Sequence, residues 1–102
     1  LAVLIVGSGK DDADYAAAAH WFQQAADRGL SDSQFNLAVL YAHGRGVAKD
    51  LTESYKWFGL AARSGDAGAA RKLEDVRAHL ETLEREVAEQ KLAAWRAKPA
   101  GR

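Results

Sequence analysis

Cysteine and methionine are both absent from these 102 residues, and proline occurs once. Without cysteine there is no thiol nucleophile, no disulfide framework and no cysteine-ligated zinc, so nothing in the chain depends on a redox compartment. Without methionine, Leu1 is read as lying inside a longer protein. Excess charge of either sign is missing as well, since 14 Lys and Arg balance 14 Asp and Glu. A nucleic-acid binder ordinarily carries a basic field that collects phosphates, so DNA and RNA are set aside as partners. Long apolar runs are also lacking. The longest, Leu1-Ala-Val-Leu-Ile-Val6, is far short of the roughly 20 residues that span a bilayer as a helix, so no membrane contact is expected of this stretch. What is present, 48% hydrophobic and 27% charged residues, suits one small folded domain.

Self-comparison decides the architecture. Leu1-Ala2-Val3-Leu4 returns as Leu37-Ala38-Val39-Leu40, Asp14 as Asp50, Trp21-Phe22 as Trp57-Phe58, Ala25-Ala26 as Ala61-Ala62 and Gly29 as Gly65, each pair 36 residues apart with no gap. Leu37 then meets Leu73, where a third, partial unit begins. A fixed period in this range marks a stack of supersecondary units, each of which buries its apolar face only against its neighbours.

Each unit reads as two helices. Tyr15, Ala18, Ala19, Phe22, Ala25 and Ala26 fall at helical spacing, and Leu51, Tyr55, Phe58, Ala61 and Ala62 repeat the stripe,. Asp14 and Asp50 stand where an N-cap acceptor is wanted, with Glu53 placed to complete a capping box, while Gly29 and Gly65 suit the left-handed residue that ends a helix,. The other helix starts at Ser31, with Gln34 as its capping-box partner, and runs to about His43 before Gly44-Arg45-Gly46-Val47 turns the chain,. Trp21 and Trp57 share one repeat position and are read as packing residues between layers.

Beyond Gly65 the pattern leaves two alternatives. Leu73, Val76, Leu80, Leu83 and Val87 keep a spacing of three and four, so residues 66 to 97 form either one long helix or two, with Thr82 as the N-cap of the second,. The break is the preferred reading, with Trp95 docking the final helix. The expected organisation is a repeat array over residues 1–80 (units 1–36, 37–72 and a partial third from 73), a capping helix over 81–97 and a flexible tail over 98–102. The fold class is all-α, an α/α-hairpin solenoid.

The set Leu37-Ala38, Tyr41, Gly44-x-Gly46-Val47, Asp50, Ser54, Trp57-Phe58, Ala61-Ala62 and Gly65 resembles the Sel-1-like repeat, a relative of the tetratricopeptide repeat. The second unit matches throughout; the first departs, with Gly7-Ser8-Gly9-Lys10-Asp11-Asp12 where Gly-x-Gly-Val is usual. That resemblance implies helical hairpins used for protein contacts. Residues 32–42, Ser54-Tyr55-Lys56-Trp57-Phe58 and a helical tail ending in Trp95 are further similar to the C-terminal repeat region of PodJ-type polar localisation factors of alphaproteobacteria. This second resemblance implies a periplasmic scaffold at a cell pole, within a membrane-anchored parent and near peptidoglycan.

Catalytic motifs fail when their positions are counted. Leu4-Ile5-Val6-Gly7-Ser8-Gly9-Lys10 looks like the end of a phosphate-binding loop, yet Leu4 stands where its first glycine belongs and Asp11 where Ser or Thr would hold magnesium,. Asp11, Asp12 and Asp14 lack the glycine and distal glutamate of a calcium loop and read as a turn with a cap,. His20, His43 and His79 have no second ligand at metal-binding spacing, and no nucleophile, base and acid can be assembled into a set,. The expectation is therefore a protein-interaction scaffold that is not an enzyme and carries no cofactor or metal, with a peptidoglycan-binding module as the alternative.

Stacked hairpins curve and use their inner helices as a concave recognition face. Phe35, Val39 and Ala42 make a second apolar stripe on the middle inner helix, and Arg71, Asp75 and Ala78 are their counterparts in the third unit. Phe35, Val39, His43, Arg71 and Asp75 are accordingly the candidate partner-binding residues. Residues 1–6, where the inner helix is incomplete, are a candidate self-association surface.

Overall fold

The computed structural model describes residues 12–97. The readings made for residues 1–11, including the loop of the first unit and the self-association surface, and for the tail 98–102 lie outside the described residues. Among the described residues there are five helices and no strand: α1 (Asp12–Asp27), α2 (Ser31–His43), α3 (Leu51–Arg63), α4 (Ala67–Ala78) and α5 (Thr82–Ala94). α1 packs on α2, and α3 packs on α2, α4 and α5. The all-α hairpin stack expected from the period is the fold found.

The period is visible in the geometry. α1 and α3 end 36 residues apart, at Asp27 and Arg63, and α2 and α4 begin 36 apart, at Ser31 and Ala67. Between each pair a glycine takes positive φ, 97° at Gly29 and 100° at Gly65, where any Cβ would be strained. The seams are filled by Ala18, Ala19, Phe22 and Ala26 from α1, Leu37, Ala38 and Leu40 from α2, and Tyr55, Trp57, Phe58, Leu60 and Ala61 from α3, all of them buried. Small alanines let helix axes approach, while the large rings fill the wider spaces. The Ser54 hydroxyl donates to the Ala38 carbonyl over 2.8 Å, crossing the α2–α3 seam with no exposed surface.

The connection between α2 and α3 is fixed by what it touches. Gly44 closes α2 in the left-handed conformation and returns its N–H to the Leu40 carbonyl, and the Asp50 N–H donates to the Tyr41 carbonyl at 3.1 Å. Gly46 lies against the α1 backbone, so that a Cβ there would collide with the Tyr15 carbonyl group and the Ala16 nitrogen. Arg45 sits over the Tyr15 ring at 5.2 Å. This Gly-x-Gly turn therefore joins one hairpin to the preceding helix as well as reversing the chain. The connection from α4 to α5 has no such turn: it takes only residues 79–81, against 44–50 before α3, so α5 leaves the 36-residue register.

The helix caps differ from expectation at four places. Asp50 caps α3 as read, accepting from the Thr52 and Glu53 N–H groups at 3.0 and 3.2 Å, but Glu53 turns away to Lys56 and Lys91 instead of making a return bond. Asp14 is not a cap, because α1 already begins at Asp12. α2 is preceded by Leu30 with no side-chain cap, and Gln34, far from completing a capping box with Ser31, is buried in the seam and donates to the Ala26 carbonyl at 3.2 Å. Glu81, not Thr82, precedes α5, its N–H donating to Glu84 Oε1 at 3.0 Å. The preferred break between α4 and α5 is present, with α5 covering 82–94 inside the expected 81–97.

α5 lies close along α3. Gly59 makes room for it: a Cβ there would come within 2.7 Å of the Leu92 side chain. Tyr55 donates its hydroxyl proton to Glu89 at 2.6 Å, Lys91 bonds Thr52 at 3.0 Å and Glu53 at 2.9 Å, and Trp95 meets Trp57 edge to face with ring centroids 6.1 Å apart. Trp95 thus docks the last helix as expected. Trp21 does not pack as its repeat position suggested: it is 65% exposed where Trp57 is 1% exposed.

Candidate functional site

α2 and α4 both pack on α3, and residues of all three helices line a groove with a cavity of about 360 Å³. Its floor is apolar. Val39 and Ala42 come from α2, Leu51 and Phe58 from α3, and Val76 from α4. Phe58 and Val76 are buried core residues, so the groove opens directly onto the hydrophobic interior. Five polar side chains rim it: His43 at the end of α2, Lys49 from the connection, Lys72 and Asp75 from α4, and His79 just past the end of α4. An apolar floor with a few convergent polar groups is the usual make-up of a binding cleft.

The candidate residues divide around this cavity. Val39, His43 and Asp75 line it together. Phe35 stands outside it, half-buried and edge to face with Phe58 at 5.3 Å, so the first part of the inner stripe is spent on packing. Arg71 is exposed and does not line the cavity. Reading the stripe residue by residue missed Lys49, Lys72 and His79. A signal for the last was in the sequence, because His79 follows His43 by 36 residues and therefore occupies the same place one unit later.

The rim is electrostatically uneven. The two ion pairs among the described residues, Lys56–Glu53 at 3.0 Å and Lys91–Glu53 at 2.9 Å, both use Glu53 and neither uses a groove lysine. Lys49 and Lys72 therefore have no carboxylate partner among the described residues, and Asp75 is the one carboxylate on the rim. The His79 ring nitrogen Nδ1 donates to the Asp75 carbonyl oxygen at 2.8 Å, which leaves Nε2 as the nitrogen open to a ligand,. Among the described residues no group of three or more His, Asp or Glu could hold a metal ion. No helix among them is long and apolar enough to cross a membrane.

Tyr41 on α2 is raised by burial and then by the charges of Glu53, Asp50 and Asp27; the other shifted groups lie at the start of α3 and along its α5 side. Burial alone would raise the Asp50 carboxyl, but hydrogen bonds from the Thr52 hydroxyl and the Glu53 and Thr52 N–H groups, with the Lys91 charge, outweigh it and hold the group below its ordinary value. Glu53 is lowered in the same way, its burial outweighed by hydrogen bonds and charge from Lys91 and Lys56. Tyr55 is pushed up to about 12 by burial and by its bond to Glu89. Glu53, through Lys91, and Tyr55, through Glu89, hold α5 to α3.

With geometry and period in hand, comparison with known proteins identifies the repeat. The profile of the Sel1 repeat matches residues 4–30 and 31–66, more than half of the chain. The chain belongs to the Sel1 repeat family. The matched unit 31–66 spans α2, the Gly-x-Gly turn and α3. Sel1 repeats are non-catalytic and mediate protein–protein interaction. The chain is 36% identical over 70 residues to the alginate biosynthesis protein AlgK of Azotobacter vinelandii, which is 69% of this chain and 15% of that protein. It is 37% identical over 60 residues to the chitin synthase regulator SKT5 of Saccharomyces cerevisiae, 59% of this chain and 9% of that one. With the DAP3-binding cell death enhancer 1 of Rattus norvegicus it shares 49% identity over 41 residues, 40% of the chain and 8% of the relative. The Sel1 chain thus spans only a small part of the length of the curated relatives it matches.

Proposed function

We propose that this Sel1 chain is a docking module that takes a segment of a partner protein into the groove between α2 and α4, and that it serves in a periplasmic polarity factor held at a cell pole. The observation that carries the docking reading is the cavity of about 360 Å³ whose floor, Val39, Phe58 and Val76, reaches the buried core. Apolar side chains from a partner gain about 25 cal/mol for each Å² they remove from water on such a floor. Two relatives are named for acting through another protein, one as DAP3-binding and one as a chitin synthase regulator, which suits a module that works by contact. The polar, periplasmic assignment is supported by the residue pattern at 32–42, 54–58 and Trp95.

A photo-crosslinking residue at Lys72, compared with one at the exposed Gln24 on α1, tests the docking reading in the native cell. A partner captured through position 72 and not through position 24 is expected; equal capture at both, or none at 72, overturns it. A fluorescent fusion of the parent protein with cell fractionation tests the location: a polar, periplasmic signal is expected, and a diffuse cytosolic one overturns that part. Sedimentation with purified peptidoglycan is expected to leave the chain in the supernatant.

A further inference from the structure

The charge around the groove says what kind of segment it suits. α2 contributes His43, the connection before α3 contributes Lys49, and α4 and its end contribute Lys72, Asp75 and His79, while α3 contributes only the apolar Leu51 and Phe58. Two ammonium groups against one carboxylate leave the rim at a net +1 before the imidazoles are counted. The two lysines have no carboxylate among the described residues to satisfy them. The two histidines occupy one repeat position in successive units, 36 residues apart, and both are exposed. A basic segment would bring like charges together here, whereas an acidic one meets cations at the rim while its apolar side chain reaches the floor.

We infer that the groove binds an acidic protein segment: one apolar side chain lies over Val39, Phe58 and Val76, and carboxylates on either side meet Lys49 and Lys72. This rests on the docking function proposed above and names the chemistry of the partner. Because the rim groups are exposed, the preference is screened by salt.

The test uses the 102-residue chain and two capped, fluorescein-labelled peptides, one with a leucine flanked on both sides by glutamates and one with the same leucine flanked by lysines, read by fluorescence anisotropy. The glutamate peptide is expected to bind about tenfold more tightly than the lysine peptide, and to weaken about fivefold between about 50 and 500 mM salt. The preference should vanish or invert in the Lys49→Glu/Lys72→Glu variant, whose helical circular dichroism is checked in parallel. Equal or tighter binding of the lysine peptide, a preference that survives the double charge reversal, or no binding of the glutamate peptide at about 1 mM overturns the inference. Failure here is distinguishable from failure of the docking reading: a partner crosslinked through position 72 but lacking an acidic contact segment overturns the charge preference and leaves docking intact.

Discussion

At the scale of single residues, the two tryptophans show how little identity fixes environment. Trp21 and Trp57 share a repeat position and a following phenylalanine, yet one is 65% exposed and the other 1%. Part of the difference lies far along the chain: Gly59 admits α5, whose Trp95 then meets Trp57. Removing the Trp57 ring should cost about 3–5 kcal/mol, the usual loss for a buried aromatic, while Trp21→Ala should stay within about 0.5 kcal/mol. Urea denaturation of both variants checks this; similar losses would contradict the burial described. The period made the pair legible in the sequence, but burial was not, because it depends on a helix outside the period. The histidines show the converse. His43 was read as a candidate contact and His79 was not, yet both line one cavity, as their 36-residue offset allows.

Among the elements, α3 carries most of what holds the others. Its first turn is an N-cap and an ion-pair cluster at once, with Asp50 on the Thr52 and Glu53 N–H groups and Glu53 shared by Lys56 and Lys91. Both carboxyls lie below their ordinary values of 3.8 and 4.5. A lowered folded value means the unfolded chain takes up the proton first as pH falls, so the stabilisation is present above about pH 4 and is lost on acidification through the folded values. The melting temperature should fall as pH drops from about 4 towards 2, and less steeply in Lys91→Met, which removes one cause of the shift. A fall of unchanged steepness in that variant would show that Lys91 does not contribute. Cap chemistry was legible at Asp50, where the side chain is free to turn back on its own helix. It misled at Gln34, where the second half of the apparent motif lies on the buried side and bonds to α1 instead.

At the scale of the whole fold, four of the five helices among the described residues follow the period and one does not. α4 begins in register with α2, but the three-residue connection 79–81 sets α5 against α3 earlier than a full unit would. The unbroken three-and-four spacing through Leu80 and Leu83 concealed how short that connection is, so the sequence left one helix and two as alternatives. A chain ending at Leu80 should lose the cover over Trp57. In a Trp21→Phe/Trp95→Phe background, where Trp57 alone reports with and without α5, its emission should shift to the red and the unfolding free energy should drop by an amount typical of lost core contacts, about 2 kcal/mol or more. Emission and free energy unchanged by the truncation would mean that α5 is not the cover. Candidate binding residues were legible only where the period placed them on one inner face, as with Val39, His43 and Asp75. Lys49 was not, because its position is set by the turn that Gly46 makes against α1.

The double use of α3 has a thermodynamic consequence for whatever enters the groove. The helix that supplies the floor through Leu51 and Phe58 is tied on another side to α5 by Tyr55, Glu53 and Trp57. Phe58 and Val76 are therefore ordered by folding before any ligand arrives. The conformational entropy of association falls mainly on the guest segment and on the exposed lysine and histidine side chains at the rim. Loosening α5, even by a substitution remote from the cavity such as Tyr55→Phe, shifts part of that cost back onto the host.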